Sequence, residues 1–581
     1  MSDIIKILPS DVSNKIAAGE VVQRPSSVLK ELIENSIDAN STKIQIIIKD
    51  AGKNLIQVID NGKGMSKNDM HLSFIKHATS KINKIEDIFS ISSMGFRGEA
   101  LAAISSVSML EMESINDNQN GHFIEINGGE LLREKDSNIQ EGTSIKIKNI
   151  FYNVPARRNF LKSDFVELRH ILDVFHRLAI SHPEIEFSFI NNEEEIFYLK
   201  EESLNKRIIS IFGEKIRENL IPIHESTQIA NISGFVLKPE FSKKSRSNQF
   251  IFVNNRFIKS QFINHSISAS YDGLLKDGYY PGYFLFIDID PTKIDVNVHP
   301  NKTEIKFDDD QNLYSIINSS VKHCLGIYQV SPVLDFDKDP SMDISYDQVK
   351  SQPTSPNIQI NSDFNPFKVF NDDEVNKISD DHLTSINKLN LENDSNQALK
   401  IFQILNKFIV STNKSSLIII NQNLAHQRIL YESFLKSIFE NSVNSQKLVF
   451  PIELSLTKKQ LLLYNKIIDE FKSIGFEIIV KNELMLIESI PFGIEKNNVE
   501  EVVENILNED FNTSNDFSAS DFFAKRLSKI TSIKSGQKLN SDEQEYIVNH
   551  LFSCKEPNLS PDNKQIFITL NKNDIENKFN G

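Results

Sequence analysis

Apolar and polar positions alternate along this chain in two rhythms, and the switch from one to the other marks its elements. KELIENSIDAN reads as a short helix, because spacings of four and three gather Glu31, Asn35 and Asp38 on one polar side. STKIQIIIKD, NLIQVID and GTSIKIKNI read as strands, and ALAAISSVSML as an apolar helix. Long helical patterns mixed with such strands to about residue 215 predict an α+β layer, with helices on one face of a mixed sheet. From about 216 to 330 a smaller α/β unit follows, through ISGFVL, QFIFVNNRF and GYFLFIDIDP. At its end IDVNVH alternates with period two, Pro300 stops the ladder, and Lys302 stands at a strand end. Residues 331–395 are acidic, with scattered Pro and Ser and few sustained apolar periods, which predicts a flexible linker. Globular patterning resumes at about 396 with strands leading into a helix, and the chain finishes with a helical stretch and QIFITLNK. There is no internal repeat.

Two glycine-bearing segments follow the polar helix. Asp60-Asn61-Gly62-Lys63-Gly64 is a turn that fixes a carboxylate and lets a ligand approach bare backbone. Gly95-Phe96-Arg97-Gly98-Glu99-Ala100-Leu101 runs into the apolar helix, whose start offers N–H groups and a positive dipole end to phosphates. An acid near an oxygen donor is what a water-activating, Mg²⁺-holding nucleotide site requires. Singly, these are a solvated helix face, a hairpin turn and a plain helix start. In succession they favour a nucleotide site. No G-x-x-x-x-G-K-[ST] occurs, which excludes an ordinary P-loop.

Composition narrows the class. A length of 581 residues predicts several domains. Only Cys324 and Cys554 occur, which argues for a reducing compartment and against a disulfide scaffold or a Cys-rich zinc site. There is no signal-like start and no run approaching the roughly 18 apolar residues of a membrane span, so a cytoplasmic, nucleoid-associated protein is expected. The net charge of -15 argues against indiscriminate nucleic-acid binding by the whole chain. A local groove remains open to it: Arg157, Arg158, Lys243, Lys244, Arg246, Arg256 and Lys259 are candidates for sequence-independent phosphate contacts. The plainer alternative is a solvated basic surface.

IAAGEVVQRPSSVLKELIENSIDA, DNGKGM, HATSKI, GFRGEALAAISSVS, GTSIKIKNIFYNVPARRNFL and IDVNVHPNKTEIKF, in this order over roughly residues 1–330, resemble the MutL family of DNA mismatch repair ATPases. A weaker resemblance continues through the C-terminal third. It implies an N-terminal GHKL (Bergerat-type) ATPase α/β sandwich at 1–215, an α/β transducer domain at 216–330, the acidic linker at 331–395, and an α/β dimerisation domain at 396–581. The implied activity is slow, Mg²⁺-dependent ATP hydrolysis. The implied role is an ATP-switched homodimeric matchmaker between a MutS-like mismatch sensor, DNA and downstream enzymes.

The resemblance also assigns residues. Glu31 matches the general base and Asn35 the Mg²⁺ ligand, with Asp38 on the same face. Asp60 is similar to the acid that accepts the adenine amino group, with Thr143 as a second contact and Gly62 and Gly64 shaping the turn. Gly95 to Leu101 resemble the lid segment whose amides cap the phosphates, and Ser80 and Lys81 sit where that lid begins. Lys302 resembles the lysine that reaches the γ-phosphate from the second domain, which would couple ATP binding to domain movement.

The C-terminal third departs from relatives that nick DNA. Where they carry Asp, His and Glu, this chain has Asn421, Asn423 and Gln427, and only Glu432 survives; Ser560-Pro561-Asp562 replaces their late Cys-Pro-His. Amides lack the charge that binds a hard divalent metal, so the nicking site is expected to be lost. The alternative is an endonuclease with a divergent metal site. Gln446, Leu448 and Phe450 in QKLVFP resemble the segment by which the family touches the replication sliding clamp, with a buried strand as the competing reading. Other proteins share the nucleotide plan. A topoisomerase subunit would lack FYNVPARR and a sensor kinase would need an upstream phosphoacceptor histidine; Hsp90-type chaperones share the plan as well, and an inert scaffold would not need Glu31, Asn35 and Lys302 together.

Overall fold

The computed structural model describes residues 19, 22–81, 94–95, 98–116, 120–276, 278–295, 305–327, 401–413, 416–440, 445–481, 484–491, 494, 496, 499–508 and 519–571. Helix α1 (Pro25–Asp38) starts on Pro25, where a missing N–H costs nothing, and buries Val28, Leu29, Leu32 and Ile33. It packs against a mixed sheet of β1 (Lys43–Lys49), β2 (Leu55–Asp60), β3 (Met109–Ser114), β4 (Gly121–Asn127), β5 (Glu130–Ser137), β6 (Thr143–Lys148), β7 (Glu186–Asn191) and β8 (Glu194–Leu199). The order is β5-β4-β3-β6-β2-β1-β7-β8, antiparallel except for the parallel β1–β7 pair. The short helices α2 (Lys67–Leu72), α3 (Ala100–Ser106) and α4 (Pro155–Phe160) precede the long α5 (Asp164–Ser181), which packs beside α1; α6 (Leu204–Phe212) follows β8.

ALAAISSVSML does not stay helical. Helix α3 ends at Ser106, and β3 begins at Met109. Ser105, Ser106 and Ser108 each donate a side-chain hydrogen bond to a carbonyl three or four residues back, which competes with the helix ladder. The alternation MLEMES then suits an edge-to-core strand with burial on every second residue.

A second sheet contains β9 (Leu220–Ser226), β10 (Asn231–Leu237), β11 (Gln249–Val253), β12 (Arg256–Phe257) and β13 (Tyr283–Asp288), in the order β12-β11-β13-β10-β9. Helices α7 (Gln261–Ser270) and α8 (Asp310–Ile327) pack against each other, with Ile263, Ile267, Leu313, Ile317 and Val321 in this unit's own core. Phe250, Phe252, Phe284 and Phe286 instead join the core of the first sheet, where Phe212 of α6 lies 5.7 and 5.2 Å from Phe250 and Phe284. The strand expected in IDVNVH is described only as β14 (Ile294–Asp295), paired with β15 (Lys306–Phe307). Lys302 and the stretch 331–395 lie outside the described residues.

The last unit has a sheet of β16 (Ile401–Ile404), β17 (Phe408–Asn413), β18 (Ser416–Asn421) and β22 (Phe567–Asn571), with α9 (Gln422–Glu440) running on from β18. A second sheet there joins β19 (Ser445–Ser455), β20 (Glu477–Lys481) and β21 (Leu484–Pro491) in the order β19-β21-β20. Helices α10 (Lys458–Asn465), α11 (Ile468–Ile474), α12 (Val499–Asn508), α13 (Ala519–Thr531) and α14 (Ser541–Ser553) complete it. Among the described residues no helix is long and apolar enough to cross a membrane.

Candidate nucleotide site

Asp60 ends β2 at the middle of the first sheet, opposite Thr143 of β6, and both are buried. Its carboxylate accepts hydrogen bonds from Ser36 Oγ at 2.7 Å and from the Gly62 amide at 2.9 Å. Those two bonds fix the carboxylate and leave acceptor capacity for a further donor. Thr143 is oriented in turn by Ser114, whose hydroxyl lies 2.8 Å from Thr143 Oγ1 and accepts from the Met65 amide at 2.9 Å. Neither serine stood out in the sequence reading. Ser36 occupies the i+3 position after Ile33 on the buried stripe of α1, and that polar break in an apolar pattern was the one available signal.

The turn after Asp60 has the constraints its composition suggests. Asn61 accepts from the Thr42 and Lys43 amides at 2.9 and 2.8 Å, which ties the turn to the start of β1. Gly64 has φ +62°, and a Cβ there would stand 1.7 Å from the Ile115 carbonyl oxygen, so no larger residue fits. Gly98 repeats the case with φ +62° and a Cβ position 2.3 Å from Ala78 O. Its own carbonyl accepts from the His77 amide at 3.0 Å, which fastens the start of α3 to the segment holding Ser80 and Lys81. Glu99 precedes α3, and Ala100 and Leu101 open it.

On α1, Glu31, Asn35 and Asp38 are half-buried on one face, as their spacing requires. Asp38 accepts from the Met94 and Gly95 amides at 2.9 and 3.2 Å and is ion-paired with Lys81. Lys81 Nζ also donates to Asn35 Oδ1 at 3.0 Å. An ammonium sits between Asn35 and Asp38, so these oxygens accept a cation, and they are of the oxygen type that hard divalent ions take. Phe96, Arg97 and Lys302 lie outside the described residues.

The basic residues divide into three groups. Arg158, Arg246 and Lys259 are exposed and Arg157 is half-buried. Lys243 and Lys244 pair with Glu504 and Glu501 of α12 at 2.8 and 2.6 Å. Arg256 is only 9% exposed, which corrects its assignment to a solvent-facing DNA groove. Burial pushes its guanidinium pKa down, against the fields of Glu34, Asp38 and Glu31. The β11–β12 hairpin, which packs on α5, buries this side chain.

In the last unit, Asn421 caps α9, accepting from the Asn423 and Leu424 amides at 3.2 Å. Asn423 donates to Ile533 O at 2.6 Å and accepts from Gln427 at 2.9 Å. Glu432 accepts from the Lys555 amide at 2.9 Å. Among the described residues no group of three or more His, Cys, Asp and Glu is placed to hold a metal. In β19, the β21 pairing breaks between Lys447 and Ile452; Gln446 and Phe450 are exposed, whereas Leu448 packs on the core.

Three family models match in tandem: "Histidine kinase-, DNA gyrase B-, and HSP90-like ATPase" at 23–154, "DNA mismatch repair protein, C-terminal domain" at 208–326, and "MutL C terminal dimerisation domain" at 401–539. DNA mismatch repair protein MutL of Christiangramia forsetii is 45% identical over 617 aligned residues, covering 100% of both chains. The proteins of the same name from Flavobacterium johnsoniae and Bacteroides fragilis are 41% and 35% identical, again over 100% of both chains. Among solved structures, the Aquifex aeolicus MutL ATPase domain complexed with ADP is 26% identical, aligned over 47% of this chain and 94% of its own with a TM-score of 0.37. Identity of this order from end to end, with all three models in sequence, means that the chain belongs to the MutL family of DNA mismatch repair proteins.

Proposed function

We propose that this chain is a slow, Mg²⁺-dependent ATPase that works as an ATP-switched homodimeric matchmaker in mismatch repair and does not itself cut DNA. The observation that carries the reading is the pairing of a fixed, buried Asp60 with the polar face of α1. Asp60 accepts the adenine amino group, and Thr143 supplies the second contact beside it. Glu31 takes the proton from the attacking water. The amides from Gly98 to Leu101, with Ser80 and Lys81, face the phosphates, while the Gly95 amide holds Asp38 in place. Lys302 brings a cation to the γ-phosphate. Mg²⁺, held by Asn35 with Asp38 beside it, would offset phosphate charge.

At Asn35 the Lys81 ammonium would be replaced by bound Mg²⁺ and nucleotide, with the phosphates as counter-charge for Lys81. Residues 1–215 serve as the ATPase unit, 216–330 as the transducer, 331–395 as a tether and 396–581 as the dimerisation unit. Arg157, Arg158, Arg246 and Lys259 supply sequence-independent DNA contacts, and a MutS-like sensor and the sliding clamp are the protein partners. Support for the absence of nicking comes from Asn421, Asn423 and Gln427. Their amides are used in capping and bracing α9.

The test uses the full chain. Wild-type protein should hydrolyse ATP slowly with Mg²⁺, and faster with DNA. Glu31→Ala should still bind ATP but lose hydrolysis. On supercoiled plasmid with Mn²⁺ and sliding clamp, neither protein should make nicks; nicking abolished by Glu432→Ala would overturn the matchmaker reading.

A further inference from the structure

Arg256 belongs to the second sheet, yet it is buried within the electrostatic field of Glu34, Asp38 and Glu31 of α1. Its position follows from the hairpin. Asn254 and Asn255 take φ +48° and +63°, the paired left-handed conformation that makes a two-residue turn tight, and Asn tolerates it better than most residues. The Asn254 amide then clamps the neighbouring strand end. Its Nδ2 donates to Ile289 O at 2.9 Å, and its Oδ1 accepts from the Ile289 amide at 2.9 Å. The residue after the turn therefore has little freedom.

The hairpin is also seated from outside. Arg177 of α5 stacks over Phe257 with its guanidinium 4.1 Å from the ring centre, and Phe257 packs on Phe250 and Phe252. Helix α5 packs on both β12 and α1, so one rigid element links the hairpin to the nucleotide site. On α1, Glu31, Glu34 and Asp38 are spaced i, i+3 and i+7 and share one face. Glu34 is buried with Lys30 3.6 Å away, and Asp38 is held by Lys81. Three carboxylates so close on a partly dry face repel one another unless fixed cations balance them.

We propose that Arg256 is a positioning residue for ATP hydrolysis: a buried cation, delivered by the second sheet, that holds the acidic face of α1 in its working arrangement. Hydrolysis then depends on the seating of the hairpin on α5, because an unseated hairpin withdraws the balancing charge from Glu31, Glu34 and Asp38. This is a second dependence on the transducer unit, separate from Lys302. It rests on the reading of Glu31 as the general base.

The experiment measures steady-state ATP hydrolysis and binding of a fluorescent ATP analogue by the full chain, with melting followed in parallel. Arg256→Met should lower kcat about ten- to hundredfold, as a small misplacement of a catalytic group does, with nucleotide affinity nearly unchanged. Arg256→Lys should recover most of that loss. Glu34→Gln in the Arg256→Met background should restore part of it by removing the uncompensated carboxylate. Arg177→Ala, which alters no acid of α1, should lower kcat in the same direction. Wild-type kcat in Arg256→Met would overturn the proposal. So would a loss that follows melting temperature and is not rescued by Lys. If Glu31→Ala is inactive while Arg256→Met is normal, only the Arg256 proposal fails; if Glu31→Ala turns over normally, the base reading fails with it.

Discussion

His176 lies on α5 at 3% exposure, with its ring 5.3 Å from Phe197 and 6.0 Å from Phe212. Burial, aided by the charge of Lys459, holds its pKa down to about 3 against an ordinary 6.5. The unfolded chain therefore takes up a proton first as pH falls. Stability from this group is complete above pH 6.5 and is lost at ~1.4 kcal/mol per pH unit between there and about 3. His176→Phe should flatten the acid decline of the melting temperature, and the His176 imidazole resonance should not titrate above pH 4; titration near 6.5 would refute the account. The same residue scale shows what a sequence conceals. Asp60, Gly64 and Gly98 were legible because a turn or a positive φ imposes the residue type locally. Arg256 was found as a cation and misplaced, because tertiary packing of its hairpin decides whether it meets solvent or the acids of α1.

At the scale of elements, local rhythm identified β1, β2 and β6, whose alternation is long, and placed ISGFVL, QFIFVNNRF and GYFLFIDIDP, where β10, β11 and β13 lie, in an α/β unit. It failed at ALAAISSVSML, where apolar content alone does not tell helix from strand and serine back-bonding ends α3. QKLVFP stood between two readings, a docking peptide and a core strand. Both hold in part. The segment lies on β19, but four of its residues fall in the register break opposite β21, leaving Phe450 72% exposed. A large aromatic side chain held out on a bulged strand is an anchor available to a partner pocket. Phe450→Ala should therefore weaken binding to the sliding clamp about tenfold or more in a surface-binding assay, with melting unchanged because little packing is removed. Leu448→Ala is the poorer probe, since Leu448 packs on the core and its loss would confuse docking with stability. Equal clamp affinity in wild type and Phe450→Ala would leave β19 as an ordinary edge strand.

For the whole molecule, apolar periodicity indicated an α+β layer, a second α/β unit and a C-terminal globular unit, and the family resemblance supplied their ATPase and dimerising roles; the first two units share the core that Phe250 and Phe284 join. How copies meet was not legible, because one face of a sheet reads the same whether water or a partner covers it. The register identifies the face. Phe402, Val410, Ile419 and Ile568 stand opposite one another across β16, β17, β18 and β22 and form one apolar row. The other face, with Ile409 and Ile420, packs with Ala425 and Ile429 of α9 in the unit's core. The row's outer members, Phe402 and Ile568, are left 47% and 46% exposed, beside Ile404 and Leu405. Val410, inside the row, is buried, but exposed apolar ends on an open sheet face are unfavourable in water and are covered in a stable assembly. The unit matches a dimerisation domain, and we predict that a second copy of it covers this face. Phe402→Glu combined with Ile568→Glu places charge where the partner sheet would lie, without emptying the core beneath. In light scattering, the double variant should run as a monomer at concentrations where the wild type is a dimer, with its melting temperature nearly unchanged. A dimer of undiminished stability would move the interface to another face of the C-terminal unit.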